Sequence, residues 1–414
     1  MASFSFGSGN TAKLARLPLY GLGRLVTLVV PRGNRWVFGC GAGIADGPLE
    51  AWREATSRGV DAVWLTTSDD EARDAERLGI ATLPKFSWRG FWATARARVA
   101  VVAFGFGDVN PYAVTGAFVA QLWHGIPLKR IGLDAPEVSR SSFLPNSRLV
   151  RGLLRWMYRR SAQRIGVIPA ASHLVRGRLE SAFGISHEKV AVVGEPRVDV
   201  LSRGDAASRR AEAQALVASL VPALSSGRRL VLYAPTWRNG DPDPGVPSPD
   251  EWDRLLGLLE RHDAALVVRS HRLGEGEYVP PAATDRVAML GAGLLADINR
   301  ALPVFDAIVT DYSSLAFDAS LVPLPAFFLA PDLDEYARRR GFYGVYADVA
   351  GDDVARSWSE LIPELDEALG DPDALARRTE RARALSARVH DFDDGHNTRR
   401  VIDEVFARIG KARG

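Results

Sequence analysis

The sequence predicts an α/β protein made of two doubly wound, Rossmann-like parallel-sheet domains with a cleft between them, and three observations predict it. Its 414 residues exceed what one ordinary core organises and fit two domains of about 200 residues each. Short apolar runs alternate with helical patterns, and the runs are apolar at every position, as strands buried on both faces between helices are. The alternation stops once, across an Ala-, Arg- and Ser-rich stretch from Ser202 to Arg228, and then restarts.

The first series begins with the strand Arg35–Phe38, a helix over Pro48–Ser57, the strand Ala62–Leu65 and a helix over Asp69–Leu78. It continues through the strands Val99–Val102, Phe118–Trp123, Arg164–Ile168 and Val190–Val193. The second series has strands at Leu230–Tyr233, Ala265–Arg269, Val287–Leu290, Ala307–Thr310 and Ala326–Leu329. The predicted division is an N-terminal segment over 1–33, a first domain over 34–203 and a second over 204–414. Asp241–Pro249, rich in Pro and Asp, reads as a loop.

Composition narrows the function. With 47% apolar and 25% charged residues the chain is an ordinary globular protein. Its 52 basic and 50 acidic residues leave a net charge of +2, so no global field argues for nucleic acid and any anion site must be local. The single cysteine, Cys40, excludes an internal disulfide and reads as a small buried hydrophobe in a reducing compartment. The start lacks the basic and apolar regions of a signal peptide, so a cytoplasmic location is expected. Leu14–Val30 is interrupted by Arg16, Pro18, Gly21, Gly23 and Arg24 and is too short to span a bilayer. It reads equally as an interfacial segment on an anionic membrane surface, which would make the protein peripheral on the inner face of the cell membrane, or as a helix packed on its own domain.

Ligands of parallel sheets collect beyond the carboxyl ends of the strands, and there this sequence is rich in polar groups. His124-Gly125 leads a turn that runs through Lys129. An imidazole at a strand end suits acid or base work, and Gly lets a substrate approach the backbone. Ser270-His271-Arg272 follows Arg269, and Arg238 follows Tyr233 by a short turn. Thr310-Asp311-Tyr312-Ser313-Ser314 follows a buried strand, and a helix starting at Ser313 would present free N–H groups, its dipole and two hydroxyls to a phosphate. The guanidinium groups of Arg238, Arg269 and Arg272 beside that start suit a diphosphate. The bland reading of Ser313 is an ordinary N-cap, and that of either histidine alone is a hydrogen-bonded structural residue. Arg197 and Asp199, in Gly194–Asp199, serve either the site or an ion pair at the interdomain hinge. Gly291–Ala296 has the form of a dinucleotide fingerprint but lacks its βαβ context and reads as a turn. Three Asp-x-Asp triplets are too short to imply a metal, so none is expected.

Taken in order, these blocks resemble the CDP-glycerol glycerophosphotransferase family, whose members prime or extend teichoic-acid-like polymers. The resemblance rests on Gln121–Lys129, Gly194–Asp199, Tyr233–Arg238, Ser270-His271, Thr310–Ser314 with Phe317-Asp318, Asp332–Tyr336, Arg340–Tyr343 and Asp394-Gly395 with Arg399 or Arg400. The sequence departs from the family's pattern where Arg269 and Arg272 flank the second histidine. The resemblance implies a GT-B-like fold with acceptor-side first and donor-side second domains and no required metal or cofactor. It implies CDP-glycerol or a related CDP-polyol as donor, a lipid-linked or polymeric acceptor, and release of CMP. His124 would then be the general base, His271 would stabilise charge on the donor diphosphate, and Arg238, Thr310, Ser313 and Ser314 would hold it. A glycosyltransferase using a nucleotide sugar and a catalytically silent scaffold of a cell-surface polymer complex are the competing readings.

Overall fold

The computed structural model describes residues 17–135, 147–225, 227–236, 238, 242–269 and 278–411. His271, with Ser270 and Arg272, lies outside the described residues, as does Trp237.

Two compact units divide the chain. The first takes in Met1–His124, Arg130–Asp199 and His396–Gly414. Its strands are β1 (Trp36–Phe38), β2 (Ala62–Thr66), β3 (Thr82–Pro84), β4 (Val99–Val102), β5 (Phe118–Gln121), β6 (Ile165–Ala170) and β7 (Val190–Val192). They form one sheet in the order β3-β2-β1-β4-β5-β6-β7, and every pair in it is parallel. The strand β3 is absent from the sequence reading because it is three residues long and ends in Pro84, which only an edge tolerates. One face of the sheet packs Trp36, Phe38, Trp64, Val101 and Leu122 against Val401, Ile402 and Val405 of the last helix, Asn397–Lys411. The sequence reading attaches that helix to the second domain. It lies with the first unit because the buried Asp199 carboxylate caps it: Oδ1 accepts from Asn397 N–H at 2.9 Å, and Oδ2 from Thr398 N–H at 2.8 Å and Thr398 Oγ1 at 2.6 Å.

The second unit comprises Gly125–Lys129 and Val200–Gly395. Its strands are β8 (Arg229–Ala234), β9 (Ala264–Val268), β10 (Val287–Met289), β11 (Ala307–Thr310), β12 (Ala326–Leu329) and β13 (Val354–Ala355). The sheet runs β10-β9-β8-β11-β12-β13, again parallel throughout. β9 is buried at all five positions and β11 at all four, the burial that their unbroken apolar sequence predicts. The helix Pro249–Arg261 shows how local signals fix an element: Ser248 and Glu251 form a reciprocal capping box, Pro249 occupies the first turn, and Trp252, Leu255, Leu258 and Leu259 fall on its buried face. Gly291–Ala296 is a turn rather than the start of a helix.

Each sheet reverses its strand order once, between β1 and β4 in the first unit and between β8 and β11 in the second. Loops leaving the carboxyl ends of two such strands part in opposite directions and open a crevice.

The N-terminal helix Leu17–Val29 packs on Tyr112 of its own unit along one side. Its Gly23 lies against the Tyr112 backbone so closely that a Cβ would come within 2.1 Å of the Tyr112 carbonyl oxygen, and Tyr20 packs edge-on against Tyr112. Leu22, Leu25, Leu28 and Val29 face solvent. Among the described residues, no helix is long and apolar enough to cross a membrane.

Candidate active site

In the first unit the turns after β1 and β4 pack on each other at the switch point, and β5 delivers His124 beside them. The chain corners sharply there. Trp123 adopts φ 62° and Gly125 φ 140°, and a left-handed conformation at a bulky residue such as Trp123 costs about 1–3 kcal/mol. Strain of this kind persists where surrounding contacts enforce it, and His124 has them. Its half-buried ring lies flat on Phe104, with centroids 4.3 Å apart and planes 9° apart, while Trp123 leans on it at 4.1 Å. Nδ1 is 3.4 Å from the Ala103 carbonyl oxygen, which also accepts from Gln121 Nε2 at 2.9 Å. A carbonyl only accepts, so Nδ1 carries the hydrogen and Nε2 is the basic nitrogen.

Sequence reasoning missed what lies behind this arrangement. The Asp108 carboxylate is buried, and its Oδ2 accepts from Ala103 N–H at 2.9 Å and Phe104 N–H at 2.7 Å. Lys85, also buried, donates to Gly107 O at 2.8 Å and Thr67 Oγ1 at 3.1 Å. Burial pushes the Asp108 carboxyl up to about 6, against the pull of the two N–H groups and Lys85. The legible signal is the Gly-x-Gly-Asp run Gly105–Asp108, two residues beyond the end of β4, which has the composition of a ligand-side turn.

In the second unit, the pairing Ala234↔Thr310 brings the ends of β8 and β11 side by side. Asp311 stitches the two turns together. Its two oxygens each accept from Thr236 N–H at 3.0 Å, and Arg238 Nη1 reaches Asp311 Oδ2 at 2.8 Å. Arg238 also binds Asp332 in fork geometry, Nε and Nη2 each at 3.0 Å. Burial works against the Arg238 charge, and the two carboxylates outweigh it and hold the guanidinium above the ordinary arginine range. Tyr312 donates to Asp332 at 2.9 Å and stacks on Tyr336 at 4.0 Å.

Lys129 joins this group because its strand-like segment pairs with Phe342, and Tyr343 N–H donates to Leu128 O at 2.9 Å. Burial pushes its ammonium down to about 8; Asp311 opposes that shift, while Arg340 and Arg238 add to it. Ser313 and Ser314 are half-buried. The helix they precede starts at Leu315 rather than Ser313, Ser314 occupies its cap position without a side-chain cap bond, and Ser313 Oγ accepts from Leu315 N–H at 3.3 Å.

The remaining predicted residues sit as follows. The fully buried Thr310 hydroxyl donates to Ala234 O at 2.8 Å, which uses its one proton to join the two strand ends. Arg269 donates to the carbonyls of Leu290, Leu295 and Ala296 and so ties down the 291–296 turn. Arg197 is buried 3.3 Å from Glu195 in the first unit, Asp199 caps the last helix, and Asp318 is buried in the helix Leu315–Leu321. The structure thus gathers Lys129, Arg238, Asp311, Ser313 and Ser314 at the second unit's switch point and sets His124 beside that of the first.

The family described as CDP-Glycerol:Poly(glycerophosphate) glycerophosphotransferase matches the chain over residues 46–407. The teichoic acid glycerol-phosphate transferase of Staphylococcus aureus (strain NCTC 8325 / PS 47) is 26% identical over 347 residues, 80% of this chain and 82% of that protein. Teichoic acid ribitol-phosphate polymerase TarK of the same strain is 26% identical over 229 residues, 55% of this chain but 42% of that protein. Among solved structures, the wall teichoic acid polymerase TagF superposes with a TM-score of 0.74 at 20% identity, covering 97% of both chains, and a TagF variant soaked with CDPG with 0.76. The fold is that of TagF, two parallel α/β sheets of the GT-B-like class.

Proposed function

Because the chain belongs to the CDP-Glycerol:Poly(glycerophosphate) glycerophosphotransferase family, we propose that it transfers a polyol phosphate, glycerol phosphate first among them, from a CDP-linked donor to a hydroxyl of a lipid-linked or polymeric acceptor. The observation that carries this reading is His124, held at a strained strand end with Nε2 as its basic nitrogen. In the proposed step Nε2 takes the acceptor hydroxyl's proton, and the acceptor oxygen forms a bond to the phosphorus that bears the polyol. The bond from that phosphorus to the bridging oxygen breaks, and CMP leaves with the electron pair. Such a transfer asks for positioning and for neutralisation of spreading negative charge rather than for covalent chemistry.

The donor phosphates are assigned to the second unit. Ser313 and Ser314 supply short hydroxyl donors, and Lys129 supplies a positive charge. Arg238 contributes through the turn it holds, since its guanidinium is already bound to Asp311 and Asp332. His271 is assigned to charge on the same diphosphate by its place in the family's motif. CDPG is the compound soaked into the TagF variant, which supports a CDP-linked donor here. The exposed Leu face of the helix Leu17–Val29 and the Arg-rich helix Arg148–Ala162 support a peripheral position on the cell membrane, where a lipid-linked acceptor would be met.

The test is CMP release from a panel of CDP-polyols with a lipid acceptor. Wild-type protein is expected to release CMP, and His124→Ala to lose about 10²- to 10⁴-fold in kcat. UDP or GDP release from nucleotide sugars, or an unaffected His124→Ala variant, would refute the reading.

A further inference from the structure

We infer that Asp108 is a positioning residue for His124: its buried carboxylate holds the Ala103-Phe104 turn, whose carbonyl and ring fix the tautomer and the plane of the imidazole. The inference rests on the reading of His124 as the base and adds the group that makes it one. Ala103 O and the Phe104 ring are the contacts that orient His124, and the N–H groups of those same two residues converge on one oxygen, Asp108 Oδ2. A carboxylate accepting two backbone N–H bonds is a rigid anchor for a tight turn, and an imidazole's tautomer follows the bond its other nitrogen makes.

Three further observations argue that the anchor is built for this place. Gly39, after β1, approaches the Asp108 backbone so closely that a Cβ there would lie 2.1 Å from the Asp108 carbonyl oxygen. Gly41 leaves room for Phe104, whose ring a Cβ would meet at 3.0 Å. On the other side, Lys85 holds Gly107 O, and Asn110 Nδ2 holds Lys85 O at 3.0 Å. The loop Phe104–Asn110 is thus clamped from both directions at the switch point of its sheet. A carboxylate kept in such a site costs solvation, as its raised pKa reflects.

The experiment uses the full-length protein and whichever CDP-polyol supports turnover in the wild type. Asp108→Ala removes the acceptor, and misplacement of the imidazole is expected to lower kcat about 10²-fold while donor KM stays within about threefold. Asp108→Asn keeps an acceptor oxygen without its charge and is expected to recover to within about tenfold of wild type. Phe104→Leu, which leaves Asp108 untouched, should also lower kcat with little change in KM. In parallel, ¹⁵N-histidine NMR, with the His124 signals identified by their loss in His124→Gln, should report the Nδ1–H tautomer in wild type and a tautomer mixture in Asp108→Ala. Wild-type kcat and unmoved His124 nitrogen shifts in a folded Asp108→Ala protein would overturn the inference. If that variant does not fold, unmoved His124 shifts and wild-type kcat in Phe104→Leu would do so, because the turn that Asp108 holds would then not orient the imidazole. The NMR arm reads the geometry whether or not a donor is found, so a failure of the transfer reading is distinguishable from a failure of this one.

Discussion

Lys129 is the residue whose charge responds most directly to its surroundings at the second unit's site. An exposed lysine stays protonated to above pH 10, but burial and the neighbouring Arg340 and Arg238 bring this ammonium down to about 8, with Asp311 alone resisting. The sign of the consequence follows from the charged form being the low-pH form. Below about pH 8 the site offers an anion a positive charge that is hydrogen-bond-rich and poorly hydrated; above it the charge is lost. If Lys129 contacts donor phosphate, the donor KM of the wild type should rise as pH increases from about 7.5 to 9, by up to about tenfold for one charge-assisted bond. Lys129→Arg keeps its charge throughout that range and should flatten the rise, and Lys129→Met should show the high KM at every pH. A pH-independent wild-type KM, measured by CMP release at fixed ionic strength, would remove Lys129 from the donor site.

At the scale of the element, Asp199 and the helix Asn397–Lys411 form one device although about 200 positions separate them. The buried carboxylate accepts from two backbone N–H groups and a hydroxyl at the helix start. Arg400 ties back to Val193 O at 3.1 Å, and Gly194 leaves room for Asn397, whose Oδ1 would otherwise lie 1.9 Å from a Cβ. Asp199→Ala is expected to destabilise the docked helix by about 2–4 kcal/mol, read as faster amide exchange across 397–411 with little change over β8–β12; unchanged exchange would dismiss the cap. This device also marks where the sequence stops being legible. The long strands could be read because each is a continuous apolar run between turns, and the strand-end residues because parallel sheets put ligands there. Nothing local assigns Asn397–Lys411 to the first sheet, since an amphipathic helix does not record which face it covers. β13 has two residues, Val354 and Ala355, and carries no period at all. Asp108 escaped for a related reason: its partners are backbone N–H groups, which leave no trace in the side-chain sequence. Thr310 and Arg269 were visible as polar residues at strand ends, but their carbonyl partners, which spend the Thr310 proton and occupy the Arg269 guanidinium, were not.

For the whole molecule, a net charge of +2 gives no long-range pull toward an anionic surface, so any attraction must come from how charge is distributed. The helix Arg148–Ala162 carries Arg148, Arg151, Arg155, Arg159 and Arg160 and no acidic residue. Leu149, Leu153 and Trp156, spaced four and three residues apart along one face, are 86%, 55% and 61% exposed, where an ordinary surface helix would hide them. Arg164, just beyond this helix, has its pKa lowered by burial and then by Arg24 and Arg160, which places the N-terminal helix, with its exposed Leu22, Leu25 and Leu28, beside the same basic cluster. Apolar side chains ringed by arginines match a bilayer interface with acidic headgroups, each basic residue adding about 1 kcal/mol near such a surface. The protein should therefore co-sediment with phosphatidylglycerol-rich vesicles and much less with phosphatidylcholine alone. Replacing Arg148 and Arg160 by Gln should weaken binding about fivefold per charge, and added salt should do the same. Leu153→Asp with Trp156→Asp should abolish it while leaving CMP release with a soluble acceptor intact, because neither residue belongs to the transfer site. Equal binding to both vesicle types, or no loss in the double Asp variant, would mean that this face is turned to something other than lipid.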